Sequence, residues 1–185
     1  MINDILSETK SKMDSTVSVL EEDLRGIRSG RASTGLVEKL MVDYYGQDTE
    51  LRQLANISTP EPMQILIRPY DNSAVKAIER AIQISDIGIN PSIDGSNIRL
   101  NMPPLTRDRR QDLVKVVNKR LEEARVAIRN IRRSANQDLA DFEKEKMISE
   151  DDKKRGEDEV QKLTDKSVEK IDSTGKDKEK EILDV

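Results

Sequence analysis

The chain has 185 residues, a length that allows one or two domains. Charged residues make up 37% of it and aromatic residues 2%, a balance that favours long helices packed through aliphatic side chains over a compact, aromatic-rich core. The chain contains neither histidine nor cysteine, which excludes disulfides, thiolate chemistry and the commonest general base and metal ligand near neutral pH.

The net charge of -4 at pH 7 is unevenly distributed. Segment 105–146 carries 12 basic and 8 acidic residues, whereas the segments before and after it are net negative. No apolar run approaches the ~20 residues of a membrane span, and the polar residues 1–10 are unlike a signal or transit peptide. We therefore expect a cytoplasmic protein without a membrane partner.

The first predicted helix covers residues 3–29. Its apolar positions recur mostly at steps of three and four, which is typical of a helix with one buried face. These positions are Leu6, Met13, Val17, Leu20, Leu24 and Ile27. Asn3 is expected to cap the helix, and Gly30 is expected to follow its last residue.

Residues 31–104 differ in character and predict a small α+β module of about 74 residues. β-forming residues mark strands at 37–45, 63–68 and 97–101, and Asp94-Gly95 is a hairpin signal before the last of these. A short helix is predicted over residues 74–84. The prolines at positions 60, 62 and 91 exclude helix interior around them.

The longest predicted element is a helix from Thr106 to Lys146, uninterrupted by glycine or proline. Its apolar positions are Leu113, Val117, Leu121, Ala124, Ile128, Ile131, Ala135, Leu139 and Phe142. Their average step is close to the 3.5 residues of a helix packed along a partner. A last helix is predicted from a capping Ser149 to about Leu183, with a thinner apolar face that Gly175 weakens further.

Three amphipathic helices with so little apolar surface imply one antiparallel three-helix bundle. The predicted fold class is therefore α+β, with a bundle formed by residues 1–30 and 105–185 and a β/α/β domain, residues 31–104, inserted between its first two helices. We expect a hinge where the chain crosses between the two domains. The predicted hinge residues are Ser29, Gly30, Arg31, Met102, Pro103, Pro104 and Leu105.

A second stripe lies beside the apolar face of the central helix and consists of Arg125, Arg129, Arg132 and Asn136. It indicates either a solvated helix face or a surface that docks on phosphate, for which the planar guanidinium is suited. Glu122 could pair with Arg125 three residues later. By contrast, no acidic residue lies within four positions of Arg129 or Arg132.

Enzymatic chemistry has little support in this sequence. There is no glycine-rich phosphate loop and no convincing carboxylate pair, so we expect no catalytic residues and no small-molecule substrate. The acidic runs 21–23 and 150–152 could suggest a metal, but neighbouring residues diverge on a helix and the second run is explained by helix capping. We expect no metal and no cofactor.

Seven segments resemble the ribosome recycling factor family, in order and from end to end. They are IRSGRAS at 27–33, YYG at 44–46, LRQLA at 51–55, SDIGINP at 85–91, PPLT at 103–106, ARVAIRNIRR at 124–133 and ISEDD at 148–152. The resemblance implies an L-shaped protein with a three-helix bundle and a small hinged domain. It also implies that the protein splits the post-termination ribosome together with elongation factor G, which uses the GTP.

The resemblance further implies that the bundle lies on large-subunit ribosomal RNA while the small domain meets elongation factor G. The RNA-contacting arginines of the family correspond to Arg129 and Arg132. The helpers implied beside them are Arg28, Arg31 and Arg133. Arg125 is also expected to bind RNA, as a member of the arginine stripe. We expect the protein to act as a monomer.

An alternative is a helical, chaperone-like protein that binds partner proteins rather than RNA. The two hypotheses differ in salt dependence, because phosphate docking weakens steeply as salt rises through counterion release. A contact between apolar helix faces is less sensitive to salt.

Overall fold

The computed structural model describes residues 1–184; residue 185, part of the predicted bundle segment, lies outside the described residues. The fold class is α+β, as predicted, with long helices and a small antiparallel sheet domain. The helices are α1 (Ile2–Arg25), α2 (Leu51–Leu54), α3 (Val75–Ile84), α4 (Arg107–Lys144) and α5 (Glu150–Leu183). The strands are β1 (Met41–Tyr44), β2 (Gln47–Glu50), β3 (Ala55–Glu61), β4 (Gln64–Pro69), β5 (Pro91–Asp94) and β6 (Asn97–Asn101).

The chain divides into two compact units. The first, the helical unit, consists of Met1–Leu24 and Val114–Glu179, and the second, the mixed unit, of Arg25–Leu113 and, among the described residues, 180–184. These boundaries differ from the predicted division at residues 30 and 105. The last residue of α1, the first residues of α4 and the last residues of α5 belong to the mixed unit. The predicted domain division itself stays a prediction.

The helical unit is an antiparallel three-helix bundle, as predicted. Ala135 and Leu139 of α4 and Val160 of α5 form a buried cluster, against which the first residues of α1 pack. Residues 15–23 of α1 lie beside residues 120–127 of α4, whereas residues 5–12 lie beside residues 130–138. The two helices therefore run in opposite directions, and residues 120–138 of α4, which include the arginine stripe, lie alongside residues 5–23 of α1.

Two predicted helix starts are confirmed by side-chain caps. The Thr106 hydroxyl accepts a hydrogen bond from the Arg109 amide at 3.2 Å. The Ser149 hydroxyl accepts from the Asp152 amide at 3.1 Å, and the Asp152 carboxylate accepts in return from the Ser149 amide at 3.4 Å. This reciprocal pair satisfies two amides that a helix start otherwise leaves without partners.

The predicted end of the first helix is wrong. Helix α1 stops at Arg25, four residues before the predicted end, and Gly30 is therefore not its terminating residue. The Arg25 guanidinium pairs with Glu38 at 3.1 Å, and the backbone of Gly35 lies directly against that of Arg25. The turn formed by residues 34–36 thus occupies the space that a further turn of α1 would need.

The mixed unit contains two antiparallel sheets, the hairpin β1-β2 and a four-stranded sheet of order β3-β4-β6-β5. Helix α3 supplies Ile78 and Ile82 to a core that includes Ile65, Ile67 and Ile98 from the larger sheet. The strand predicted to begin at residue 37 begins at Met41, because residues 34–36 form a 3₁₀ turn and Val37 follows as its cap. The predictions over residues 63–68, 74–84 and 97–101 agree with β4, α3 and β6 to within one or two residues.

In the described residues 1–184, none of the helices combines the length and hydropathy that crossing a membrane requires.

Candidate nucleic-acid interface

The arginine stripe lies on the side of α4 that faces the groove to α5. Each arginine follows a core position by one residue, and the core residues Ala124 and Ile128 are buried. Because a step of one residue turns a helix by about 100°, Arg125 and Arg129 lie at the edge of the packed face. The rigid helix thus presents guanidinium groups at a fixed spacing of about one turn.

Arg125 is the most constrained member of the stripe. Its Nε and one terminal nitrogen donate to the same Asp172 oxygen of α5, at 3.1 and 2.5 Å, and its other terminal nitrogen donates to Glu122 at 3.4 Å. The hydrogen bond to Asp172 raises the pKa of the Arg125 guanidinium, although partial burial acts in the opposite direction. Arg125 is therefore held across the α4–α5 groove, and the predicted pairing with Glu122 is confirmed.

Arg129 is not the unpaired residue that the sequence suggested. One of its terminal nitrogens donates to the Glu122 carboxylate at 3.0 Å, with about half of each side chain exposed. Seven residues are close to two full helical turns, so Glu122 lies on the same face as Arg129 although it is more than four positions away. Glu122 consequently bridges two arginines of the stripe.

Arg132 and Arg133 differ in their surroundings. A terminal nitrogen of Arg132 donates to the side-chain oxygen of Gln161 at 3.2 Å, and the Gln161 amide nitrogen donates to Asp165 at 2.7 Å. Arg133 is exposed, and none of residues 1–184 provides it with an ion-pair or hydrogen-bond partner. Arg132 is thus aligned through a neutral amide, which leaves its positive charge uncompensated at short range.

Arg129 and Arg132 also line a cleft of about 710 Å³ between α4 and α5. Its α5 wall carries carboxylates at Asp165, Glu169 and Asp172, with Lys176 and Asp177 further along. The cleft therefore has a cationic rim on α4 and a mainly acidic wall on α5. An anion that docks here does so on the α4 rim.

Arg28 and Arg31, the predicted helpers, belong to the mixed unit. Arg28 donates to the Pro103 carbonyl, and its Nε is buried without a hydrogen-bond partner among the described residues. Burial, followed by the charge of Arg109, lowers the pKa of the Arg28 guanidinium. Arg28 thus links the two crossings, by which we mean the predicted hinge segments 29–31 and 102–105, through its contact with Pro103. A role in RNA binding stays a prediction for Arg28 and for Arg31.

The predicted hinge residues also lie within the mixed unit. Ser29 is buried, and its hydroxyl donates to the Glu181 carboxylate at 3.1 Å. Met102 is buried and its amide donates to the Met63 carbonyl at 2.8 Å. These contacts order both crossings, and the hinge remains a prediction.

The chemistry available at the stripe is recognition of anions. Guanidinium groups at helical spacing donate paired hydrogen bonds to phosphate oxygens. In residues 1–184, no three acidic side chains gather closely enough to hold a metal ion. Sequence reasoning missed Glu122 as the partner of Arg129, although its two-turn spacing was available, and missed Asp172 and Gln161, which only the packing of α5 reveals.

Comparisons with known proteins agree with the fold. The family described as "Ribosome recycling factor" matches residues 20–183. The ribosome-recycling factors of Syntrophomonas wolfei and Carboxydothermus hydrogenoformans are each 55% identical over 185 residues, which is all of both chains compared.

Two solved structures are similar over nearly their whole length. One is the solution structure of a ribosome recycling factor, with a TM-score of 0.78 and 43% identity over 100% of this chain and 98% of that one. The other is the T. thermophilus ribosome recycling factor, described with E. coli elongation factor G bound to the E. coli post-termination complex. Its TM-score is 0.71 at 45% identity, over 99% of each chain.

Proposed function

This chain belongs to the ribosome recycling factor family, and on that premise we propose that it splits the post-termination ribosome into subunits together with elongation factor G and GTP. The family match and the full-length relatives support a role in protein biosynthesis through ribosome binding. The description of the T. thermophilus relative with elongation factor G on a post-termination complex supports the choice of partners.

In this proposal the arginine stripe docks on large-subunit ribosomal RNA. The observation that carries it is the pair Arg129 and Arg132, which lie one turn apart on the rim of the α4–α5 cleft. Arg125 and Arg133 extend the same face, and Arg28 and Arg31 serve as helpers. Phosphate contacts of this kind position a protein on RNA and need no base-specific readout.

The protein performs no covalent chemistry in this mechanism and needs no cofactor or metal. The mixed unit meets elongation factor G, which binds and uses the GTP. The protein acts as a monomer, so that one arginine face and one GTPase contact are present in each complex.

Replacing Arg132 by alanine tests the docking surface. We expect Arg132→Ala to abolish subunit splitting and to weaken binding to large subunits, with the slope of log K against log salt reduced by about 1. Sedimentation with purified large subunits across a salt series measures both quantities. The helical circular-dichroism signal should stay unchanged, since Arg132 is a half-buried surface residue and a surface substitution usually alters stability by about 0.5 kcal/mol or less.

Arg120→Ala is the matched control, because Arg120 lies on the same helix and pairs with Glu123 outside the stripe. It should bind large subunits nearly as the unmodified protein does. Equal binding by Arg132→Ala and this control would contradict the docking surface. Binding that is insensitive to salt would instead favour the alternative, a helical protein that binds partner proteins.

A further inference from the structure

Glu122 pairs with two arginines of the stripe and so occupies donors that the proposed function assigns to phosphate. One carboxylate oxygen accepts from Arg129 at 3.0 Å and the other accepts from Arg125 at 3.4 Å. No other acid among residues 1–184 forms an ion pair with Arg129. In the free protein, the carboxylate thus occupies one terminal nitrogen of Arg129, a donor that the proposed function assigns to an RNA phosphate.

A carboxylate and a phosphate compete for the same guanidinium fork, since both accept paired hydrogen bonds in the plane of the group. The ion pair is also weak enough to be displaced, because about half of the Glu122 and Arg129 side chains is exposed and water screens the attraction. An incoming phosphate must therefore replace Glu122 at a modest cost.

That cost is the same for every RNA phosphate that takes the Arg129 donor, because the same carboxylate is displaced. The acidic α5 wall, with Asp165 and Glu169, adds repulsion against a strand that enters the cleft instead of lying on its rim.

We propose that Glu122 limits the affinity of the arginine stripe for RNA, because its carboxylate competes with phosphate for an Arg129 donor. This inference rests on the proposed function and deepens it.

The test compares Glu122→Gln with Glu123→Gln. Both changes remove one negative charge from the same turn of α4, but Glu123 pairs with Arg120 and does not touch the stripe. Affinities are measured by anisotropy for fluorescent poly(U) and by sedimentation for large subunits, at one salt concentration. Relative to the control, Glu122→Gln is expected to bind poly(U) about twofold to fivefold more tightly, the effect of one exposed ion pair.

Large subunits should gain by a similar factor, because the same carboxylate is displaced from Arg129. A large-subunit affinity of Glu122→Gln equal to that of the control, or below it, would overturn the inference. The Arg132→Ala protein is measured in the same series. If its binding to large subunits is undiminished, the docking surface itself is wrong and this inference fails with it; if its binding is lost while Glu122→Gln binds no more tightly than the control, only this inference fails.

Discussion

Gly35 illustrates how a single residue sets a close backbone approach. A β-carbon at this position would lie 2.8 Å from the Arg25 carbonyl oxygen and 3.0 Å from the Arg25 β-carbon. Backbone atoms cannot swing aside as a side chain can, so the 3₁₀ turn would have to move. The absence of a side chain at Gly35 therefore permits the packing that ends α1 at Arg25.

We expect Gly35→Ala to lower the free energy of unfolding by about 1–3 kcal/mol, the usual range for overpacking. Urea denaturation followed by circular dichroism measures the change. Gly30→Ala is the matched control, because a β-carbon there would meet its nearest atom, the Asp184 carbonyl oxygen, at an ordinary 3.7 Å. A Gly35→Ala protein as stable as the Gly30→Ala protein would show that the turn shifts without cost.

At the scale of the element, the end of α4 is closed by a Schellman motif. The Met147 amide donates to the Phe142 carbonyl and the Lys146 amide to the Glu143 carbonyl, both at 2.9 Å. This pattern requires a left-handed residue after the helix, and Lys146 takes that place with φ of 60°. Glycine is the usual residue there, because a β-carbon crowds the backbone in the left-handed region.

Lys146→Gly should therefore raise the free energy of unfolding by about 0.5–1 kcal/mol, after allowance for the greater freedom of glycine in the unfolded chain. Thermal and urea denaturation measure the difference. Lys146→Ala removes the same charge but keeps a β-carbon, so it should not show the gain. Equal stability of the two variants would mean that the left-handed conformation carries no strain at this position.

Glycines within α5 have a packing role that differs from their effect on helix propensity. A β-carbon at Gly175 would collide with a Leu121 methyl group of α4, and one at Gly156 would lie 3.0 Å from Leu139. The sequence predicts Gly175 to weaken α5, but it does not reveal this close approach to α4. Its lack of a side chain lets α4 and α5 approach closely beside the arginine stripe.

At the scale of the whole molecule, the predicted hinge is the main hypothesis still to be tested. Small interfaces within a chain make relative domain motion the default expectation. In the proposed mechanism, a bundle anchored by Arg129 and Arg132 transmits a load only if the GTPase contact can move relative to the anchor. Both predicted crossings nevertheless lie within one compact unit, ordered by contacts such as that of Ser29 with Glu181.

Cross-linking the two crossings tests the hinge directly. The chain has no cysteine, so cysteines introduced at Arg31 and Leu105 would be its only thiols and could be joined by a bifunctional reagent. We expect the joined protein to bind large subunits as the Arg31→Cys single-cysteine protein does but to fail in subunit splitting, because the hinge can no longer absorb the change in backbone angles. Each single-cysteine protein treated with the reagent serves as control. Splitting by the joined protein at the control rate would contradict a hinge at these residues.

The sequence by itself determined the elements whose signals are local. The apolar spacing along α4, the caps Thr106 and Ser149, and the strand at 97–101 depend on residues within a few positions of one another, and each is present in the structure. The arginine stripe was predictable for the same reason, because helical periodicity alone places its members on one face.

Only the tertiary structure decided the features that depend on contacts between distant residues. Helix α1 ends at Arg25 because Gly35 and Glu38 of the mixed unit pack against that residue, which no local signal records. Likewise, Asp172 and Gln161 meet Arg125 and Arg132 only because α5 runs antiparallel to α4. The charge that each arginine presents at the surface is thus set by partners on another helix, or two turns away, and local sequence patterns do not specify those distances.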